Sequence, residues 1–171
     1  MVHRSKRALQ ATSLVTQTHL ISSLLFITLA SFQFSASYRK KHLKWHRRMG
    51  RLFLGLTPFV AGSGLMLGVV IPFGGRVETF YAVLLFALVF LAASKGFYGI
   101  KRRQVVQHRA WMIRLFGWSM SIATMRVVLG AFYSIQPWSD RQWFANSLHI
   151  ALAINVLVAE WWIRRKEGAG V

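Results

Sequence analysis

Four histidines on four predicted membrane helices carry the most evident chemistry of this chain. His19 and His149 lie about eight and five residues inside their helices from one side of the membrane, so their imidazoles reach similar depths. His46 and His108 precede two other helices at the opposite side. Imidazole is an axial ligand of haem iron, and facing helices of a bundle are where such cofactors are held. The pattern predicts two bis-histidine b-type haems, one on His19 and His149 and one on His46 and His108, or a quinone between these helices.

Arginines accompany both histidine pairs and are predicted to bind haem propionates. They are Arg47, Arg109 and Arg114 on one side and Arg126 on the other. Arg126 lies in the middle of an apolar helix, and its predicted neighbour Asn146 carries no negative charge. Because arginine stays charged inside a membrane, Arg126 is the strongest single marker of a ligand or a water-filled cavity.

Other polar and small residues of the helices are predicted to serve structure. Glu160 is at the level of Arg114 and Lys95, and an ion pair between Arg114 and Glu160 is the simplest account of it. Helix packing through small residues is predicted at Gly64, Gly68, Ala92 and Gly96.

A plainer interpretation of the histidines stands beside the haem hypothesis. Histidines at a membrane boundary also contact lipid headgroups, and histidines within spans also form hydrogen bonds between helices. The chain has no cysteine, only four acidic residues and no paired-carboxylate pattern. We therefore assign no catalytic residue, and no metal beyond haem iron.

Length and composition explain which elements position these residues. The chain has 171 residues, is 54% hydrophobic and carries a formal net charge of +18. A membrane-spanning helix needs about 20 mainly apolar residues, and five blocks reach that length: 11–36, 50–73, 79–100, 111–134 and 144–163. The fold class is predicted to be an all-α integral membrane bundle over residues 11–163, after a basic segment 1–10 and before a tail 164–171.

The basic residues predict the orientation of the bundle. Fourteen Lys and Arg residues lie between the first two spans, between the third and fourth, and after the fifth, against five on the other side. The positive-inside rule places the N-terminus outside and the C-terminus in the cytoplasm. Anionic headgroups of the cytoplasmic leaflet are the predicted partner of these cations, rather than nucleic acid.

Several motifs resemble a bacterial family of predicted multi-pass membrane proteins known only as a domain of unknown function. They are FQF followed by RKKH, HRRMGRLF, QHRAWMIR with Arg126 twelve residues after its last arginine, and NVLVAEW. The resemblance runs from about His19 to Arg165, and its HRxxGR and HRxWMxR pieces are fairly specific. It implies a multi-pass membrane architecture and these motif positions: His19, Arg39, His46, Arg47, Gly50, Arg51, His108, Arg109, Trp111, Met112, Arg114, Arg126, Asn155 and Glu160.

The leading functional hypothesis is an electron-transfer protein of a bacterial inner membrane that binds haem b or a quinone. One alternative is a non-catalytic membrane subunit that packs against a protein partner or a second copy of itself and binds anionic lipid. Another is a carrier for a small anion, with Arg126 as its binding charge. Whether the protein is an enzyme stays open at this point.

Overall fold

The computed structural model describes residues 2–133 and 140–168, which form helices joined by short connections and contain no strand. The helices are α1 (Val2–Phe34), α2 (Ala36–Lys41), α3 (Leu43–Val70), α4 (Arg76–Lys101), α5 (Val105–Ser119), α6 (Ser121–Tyr133) and α7 (Asp140–Gly168). Five segments are long and apolar enough to cross a membrane, namely Thr12–Phe34, Leu43–Val70, Arg76–Lys101, Val105–Tyr133 and Gln142–Arg165. The predicted all-α fold with five membrane-length helices is confirmed. Ser134, the predicted end of the fourth span, lies outside the described residues, as do residues 169–171 of the predicted tail.

Each of the five predicted spans belongs to a helix that begins earlier than the hydropathy pattern predicts, and two of these early starts concern the histidines. Helix α3 begins at Leu43 rather than near residue 50, and α5 begins at Val105 rather than near residue 111. Lysine and arginine are good helix formers, so the basic segments continue the helix although their charge ends the apolar block. His46 and His108 consequently lie in the first turns of α3 and α5, not in loops before them.

The chain divides into two compact units, residues 1–71 and residues 72–171. In the first unit α1 packs along α3, and α2 forms part of the connection. Phe26 and Phe53 stack with ring centroids 4.2 Å apart, and both side chains are fully buried. This aromatic pair fixes α1 against α3 in the first unit, because stacked rings add to the apolar area they bury.

In the second unit α4 packs against α5, while α7 packs along α6 and α5. Its core includes Tyr81 from α4, Met125 from α6, and Leu148 and Ala151 from α7. The outer faces are apolar as well, as expected of helices in lipid: the side chain of Val127 is 74% exposed and that of Leu157 is 68% exposed.

The fourth span is two helices, α5 and α6, separated at Met120. The amide of Met120 donates to the carbonyls of both Phe116 and Gly117 at 3.1 Å. The hydroxyl of Ser119 donates to the carbonyl of Leu115 at 2.7 Å. Serine bonds of this kind bend a helix because they compete with the main-chain ladder.

Candidate functional site

His108 contacts helix α4 at a place where two glycines allow a close approach. Its Nδ1 lies 2.7 Å from the carbonyl oxygen of Gly96. A Cβ added to Gly96 would lie 2.8 Å from Sδ of Met112, and one added to Gly99 would lie 3.1 Å from the backbone nitrogen of His108. Gly96 was predicted to serve helix packing, and its carbonyl oxygen also holds the ring of His108. Gly99 was missed by the sequence reasoning, although its spacing of three from Gly96 places it on the same face of α4.

His149 is an exposed residue of α7 whose ring is fixed on two sides. Its Nδ1 lies 2.6 Å from the carbonyl oxygen of Ala145, one turn earlier in the helix. Its ring meets Tyr81 of α4 edge to face, with centroids 5.0 Å apart and planes at 74°. Tyr81 was not singled out in the sequence, because aromatic residues are common in membrane spans.

His19 of α1 is held by Ser63 and Gly64 of α3 in the first unit. Its Nδ1 lies 3.1 Å from Oγ of Ser63. That hydroxyl has one hydrogen, which it donates to the carbonyl of Phe59, so it accepts from the imidazole. A Cβ on Gly64 would lie 3.2 Å from Cε1 of His19. The predicted GxxxG pair therefore has one member, Gly64, against the histidine, and the other, Gly68, is buried.

His46 lies where α3 starts, beside the end of α1. Nε2 of Gln33 donates to the His46 carbonyl at 3.2 Å. A Cβ on Gly50 would lie 3.3 Å from Oε1 of the same glutamine. Gln33 therefore ties α1 to the first turns of α3, and it belongs to the FQF motif quoted above.

Three of the four histidines share one pattern of hydrogen bonding. Carbonyl oxygens only accept, so the neutral rings of His108 and His149 carry their proton on Nδ1, and Ser63 imposes the same tautomer on His19. Nε2 is then the basic nitrogen of each ring. This is the arrangement in which an imidazole binds a metal through Nε2 while its other nitrogen is anchored.

The two predicted ligand histidines of each unit lie far apart. The α4 partners of His149 and His108 are Tyr81 and Gly96, fifteen residues apart, or about 22 Å along a helix. In the first unit, the partner of His19 on α3 is seventeen residues after His46, or about 26 Å. The histidines of one unit therefore lie at opposite ends of it. Each predicted pair, His19 with His149 and His46 with His108, takes one member from each unit, and the pairing stays a prediction.

Side chains that could together bind a bare metal ion are not clustered among the described residues. Within residues 2–133 and 140–168, no group of three or more histidine, cysteine or acidic side chains is arranged to hold a metal ion. A porphyrin needs only axial ligands from the protein.

The structure brings together Arg114 and Glu160, the residues of the predicted ion pair. Nε and Nη2 of Arg114 donate to the two carboxylate oxygens at 2.5 and 2.8 Å, joining α5 to α7. The guanidinium also lies over the ring of Trp111, 4.8 Å from its centroid. This bidentate contact occupies donors that the haem hypothesis assigned to a propionate.

The other predicted arginines have different surroundings. Arg47 and Arg126 are exposed, whereas Arg109 is half-buried. The side chain of Arg126 makes no hydrogen bond or ion pair with the part of the chain that the structure describes. Nδ2 of Asn155 donates to Oγ1 of Thr124 at 2.8 Å, which links α7 to α6. Thr124 was not predicted as a partner, since nothing in the sequence distinguishes it from other threonines of apolar helices.

Comparisons with known proteins identify a family rather than a reaction. Residues 16–163 match a family model described as "Predicted membrane protein (DUF2306)". That match spans most of the chain and includes all four predicted histidines. Neither the curated proteins nor the solved structures contain a match.

Proposed function

This chain belongs to the DUF2306 family of predicted membrane proteins, and from that premise we propose that it binds b-type haem within its helices and transfers electrons in the membrane. The axial ligands are Nε2 atoms of His19, His46, His108 and His149. The observation that supports this function best is the shared tautomer of three of these rings. Nδ1 of each donates to a backbone carbonyl or to a serine hydroxyl that can only accept.

The anchoring bonds prepare the imidazoles for this role. A ligating histidine generally donates its other ring N–H to a carbonyl, carboxylate or water, and this bond sets the ring orientation and raises the basicity of the ligating nitrogen. The bonds of His108 to Gly96 and of His149 to Ala145 have that form. When bound, haem supplies reversible one-electron transfer at its iron. The protein's own contribution is to orient the rings and to direct Nε2 of each ring away from the anchoring bond.

The distance between His108 and His149 bears on how many haems are proposed. His108 and His149 are separated by about 22 Å along α4, too far to bind one iron. The proposal therefore assigns them to two different haems. Arg47, Arg109 and Arg126 are the candidate propionate partners, and Arg114 binds Glu160.

Absorption spectra of the full-length protein test this function. Protein produced in a haem-sufficient host and purified in mild detergent should show oxidised and dithionite-reduced b-type spectra. A pyridine haemochrome assay gives the haem-to-protein ratio. We expect His108→Ala and His149→Ala each to lower that ratio by about half, since each removes a ligand of a different haem.

His42→Ala is the matched control. His42 precedes α3, and its ring contacts Tyr38 at a centroid distance of 5.2 Å; the proposal gives it no ligand role. This variant should keep the wild-type ratio. Absence of a haem spectrum in the wild type, or equal haem content in all three variants, would refute the proposed function.

A further inference from the structure

A groove between α4 and α5 contains two cations and no anion. It has a volume of about 310 Å³. Leu91, Ser94, Lys95, Tyr98, Gly99 and Arg102 line it from the α4 side, and Gln104, Gln107 and Trp111 from the α5 side. Lys95 and Arg102 are its only charged residues, and both are exposed. The groove lies entirely within the second unit and adjoins the contact of His108 with α4, since Gly99 also lines it.

Neither cation has a counter-charge in the described part of the chain. The side chains of Lys95 and Arg102 make no hydrogen bond or ion pair there. The two carboxylates whose surroundings are described are engaged elsewhere: Glu78 accepts from the amide of Gly74 at 2.8 Å, and Glu160 binds Arg114. An ammonium group inside a membrane span needs an anion, water or a carbonyl. The chain itself supplies no anion to this groove among the described residues.

The groove also changes in character along its length. Lys95 lies six residues before the last residue of α4, or about 9 Å along the helix, and Arg102 lies just beyond that residue. The flexible stem of a lysine lets its ammonium group extend toward the interface. Deeper in the span the groove is bounded by Leu91 and Trp111. The groove is thus charged at the end near the membrane interface and apolar at the end deeper in the span. This order matches a phospholipid, whose phosphodiester lies at the interface and whose acyl chains extend toward the membrane interior.

We infer that this groove binds one anionic phospholipid, whose phosphodiester contacts Lys95 and Arg102. Tyr98, Gln104 and Gln107 provide neutral hydrogen-bond donors to the headgroup oxygens. The predicted topology places this end of the hairpin at the cytoplasmic leaflet, where anionic lipids are found. This inference does not rest on the proposed haem function.

Lipid titration of the purified, delipidated protein tests the site. Phosphatidylglycerol is added in non-ionic detergent, and bound lipid is counted by native mass spectrometry. The variant Lys95→Gln/Arg102→Gln should bind the first phosphatidylglycerol about 30-fold more weakly than the wild type, because each cation near a headgroup contributes about a factor of five. Phosphatidylcholine, which has no net charge, should bind weakly to both proteins.

The control variant also removes two positive charges, and it removes them from the end of α4 and its connection to α5. Lys101 and Arg103 do not line the groove, and Nζ of Lys101 lies over the ring of Phe97. Lys101→Gln/Arg103→Gln should therefore retain wild-type binding. Equal loss in both double variants would mean diffuse attraction and would overturn the assignment, as would unchanged binding by Lys95→Gln/Arg102→Gln.

Two further measurements distinguish a lipid site from misfolding of the variant and from a site for free phosphate. Lys95→Arg/Arg102→Lys keeps both charges and should retain the lipid, whereas failure of this variant to bind while it remains helical and monodisperse would contradict the assignment. Inorganic phosphate at millimolar concentration should leave the bound lipid in place. Displacement by phosphate, with the same dependence on the two cations, would identify a free-anion site instead.

Discussion

Replacing Gly99 by alanine tests whether the close approach of α4 and α5 holds His108 in place. The added Cβ would lie 3.1 Å from the backbone nitrogen of His108 and 3.2 Å from its Cα. Backbone atoms of a helix cannot rotate away as a side chain can, so α5 must move by a few tenths of an ångström. That shift would lengthen the 2.7 Å bond from His108 to the carbonyl of Gly96.

Two opposing contributions decide the stability of this variant. Alanine in a helix interior is favoured over glycine by about 1 kcal/mol. Overpacking of a close contact costs about 1–3 kcal/mol. Gly62→Ala is the matched control, because Gly62 is inside α3 and a Cβ there would have no neighbour within 4 Å. The control should gain about 1 kcal/mol, and Gly99→Ala should lose about 0–2 kcal/mol.

Thermal unfolding in mild detergent, followed by circular dichroism, measures the difference. A gap of about 2 kcal/mol between the variants corresponds to roughly 4–8 °C in Tm for a chain of this size. In haem-loaded protein, the Gly99→Ala variant should also have altered haem content, and the control should not. Equal Tm shifts in the two variants would refute the close contact between Gly99 and His108.

Two other contacts and one left-handed residue each give a prediction about stability. Glu160→Gln leaves the part-buried guanidinium of Arg114 without its carboxylate and should lower the free energy of unfolding by about 1–3 kcal/mol in a denaturant titration; an unchanged midpoint would contradict this. A double-mutant cycle of Asn155→Ala and Thr124→Ala should give a coupling of about 0.6 kcal/mol, as for other hydrogen bonds between membrane helices, and additive effects would exclude the bond. Arg103 has a left-handed backbone with φ 59°, so Arg103→Gly should raise the free energy of unfolding by about 1 kcal/mol; a destabilised variant would show that its side chain contributes more than the strain costs.

The number of membrane helices could be predicted from the sequence because apolar length is a local property. Their ends could not, since hydropathy detects where charge begins and not where the helix stops. The basic residues around His46, and Arg109 beside His108, are helical for that reason. The break at Met120 follows directly after a serine that bonds to its own helix, and no apolar pattern reveals this break.

Contacts of the candidate site were predictable only where chemistry restricted the choice. Glu160 has few possible partners, and the structure places it on Arg114. The bonds of His19 to Ser63 and of His108 to Gly96 were not predictable, because serines and glycines are abundant in membrane spans. Their selection depends on which faces the helices present to each other, and this is a tertiary property.

The early start of α3 affects how its cations meet the lipid phosphates. The 28 residues of this helix extend about 42 Å, compared with a hydrocarbon thickness of about 30 Å and a total membrane thickness of about 40–45 Å. This length is sufficient for its first turns to extend through the headgroup layer while still helical. Arg47, Arg48 and Arg51 are thus presented on a rigid rod at fixed angular intervals. We expect such a rod to order the neighbouring lipids by geometry, whereas a flexible basic loop would attract them only by net charge.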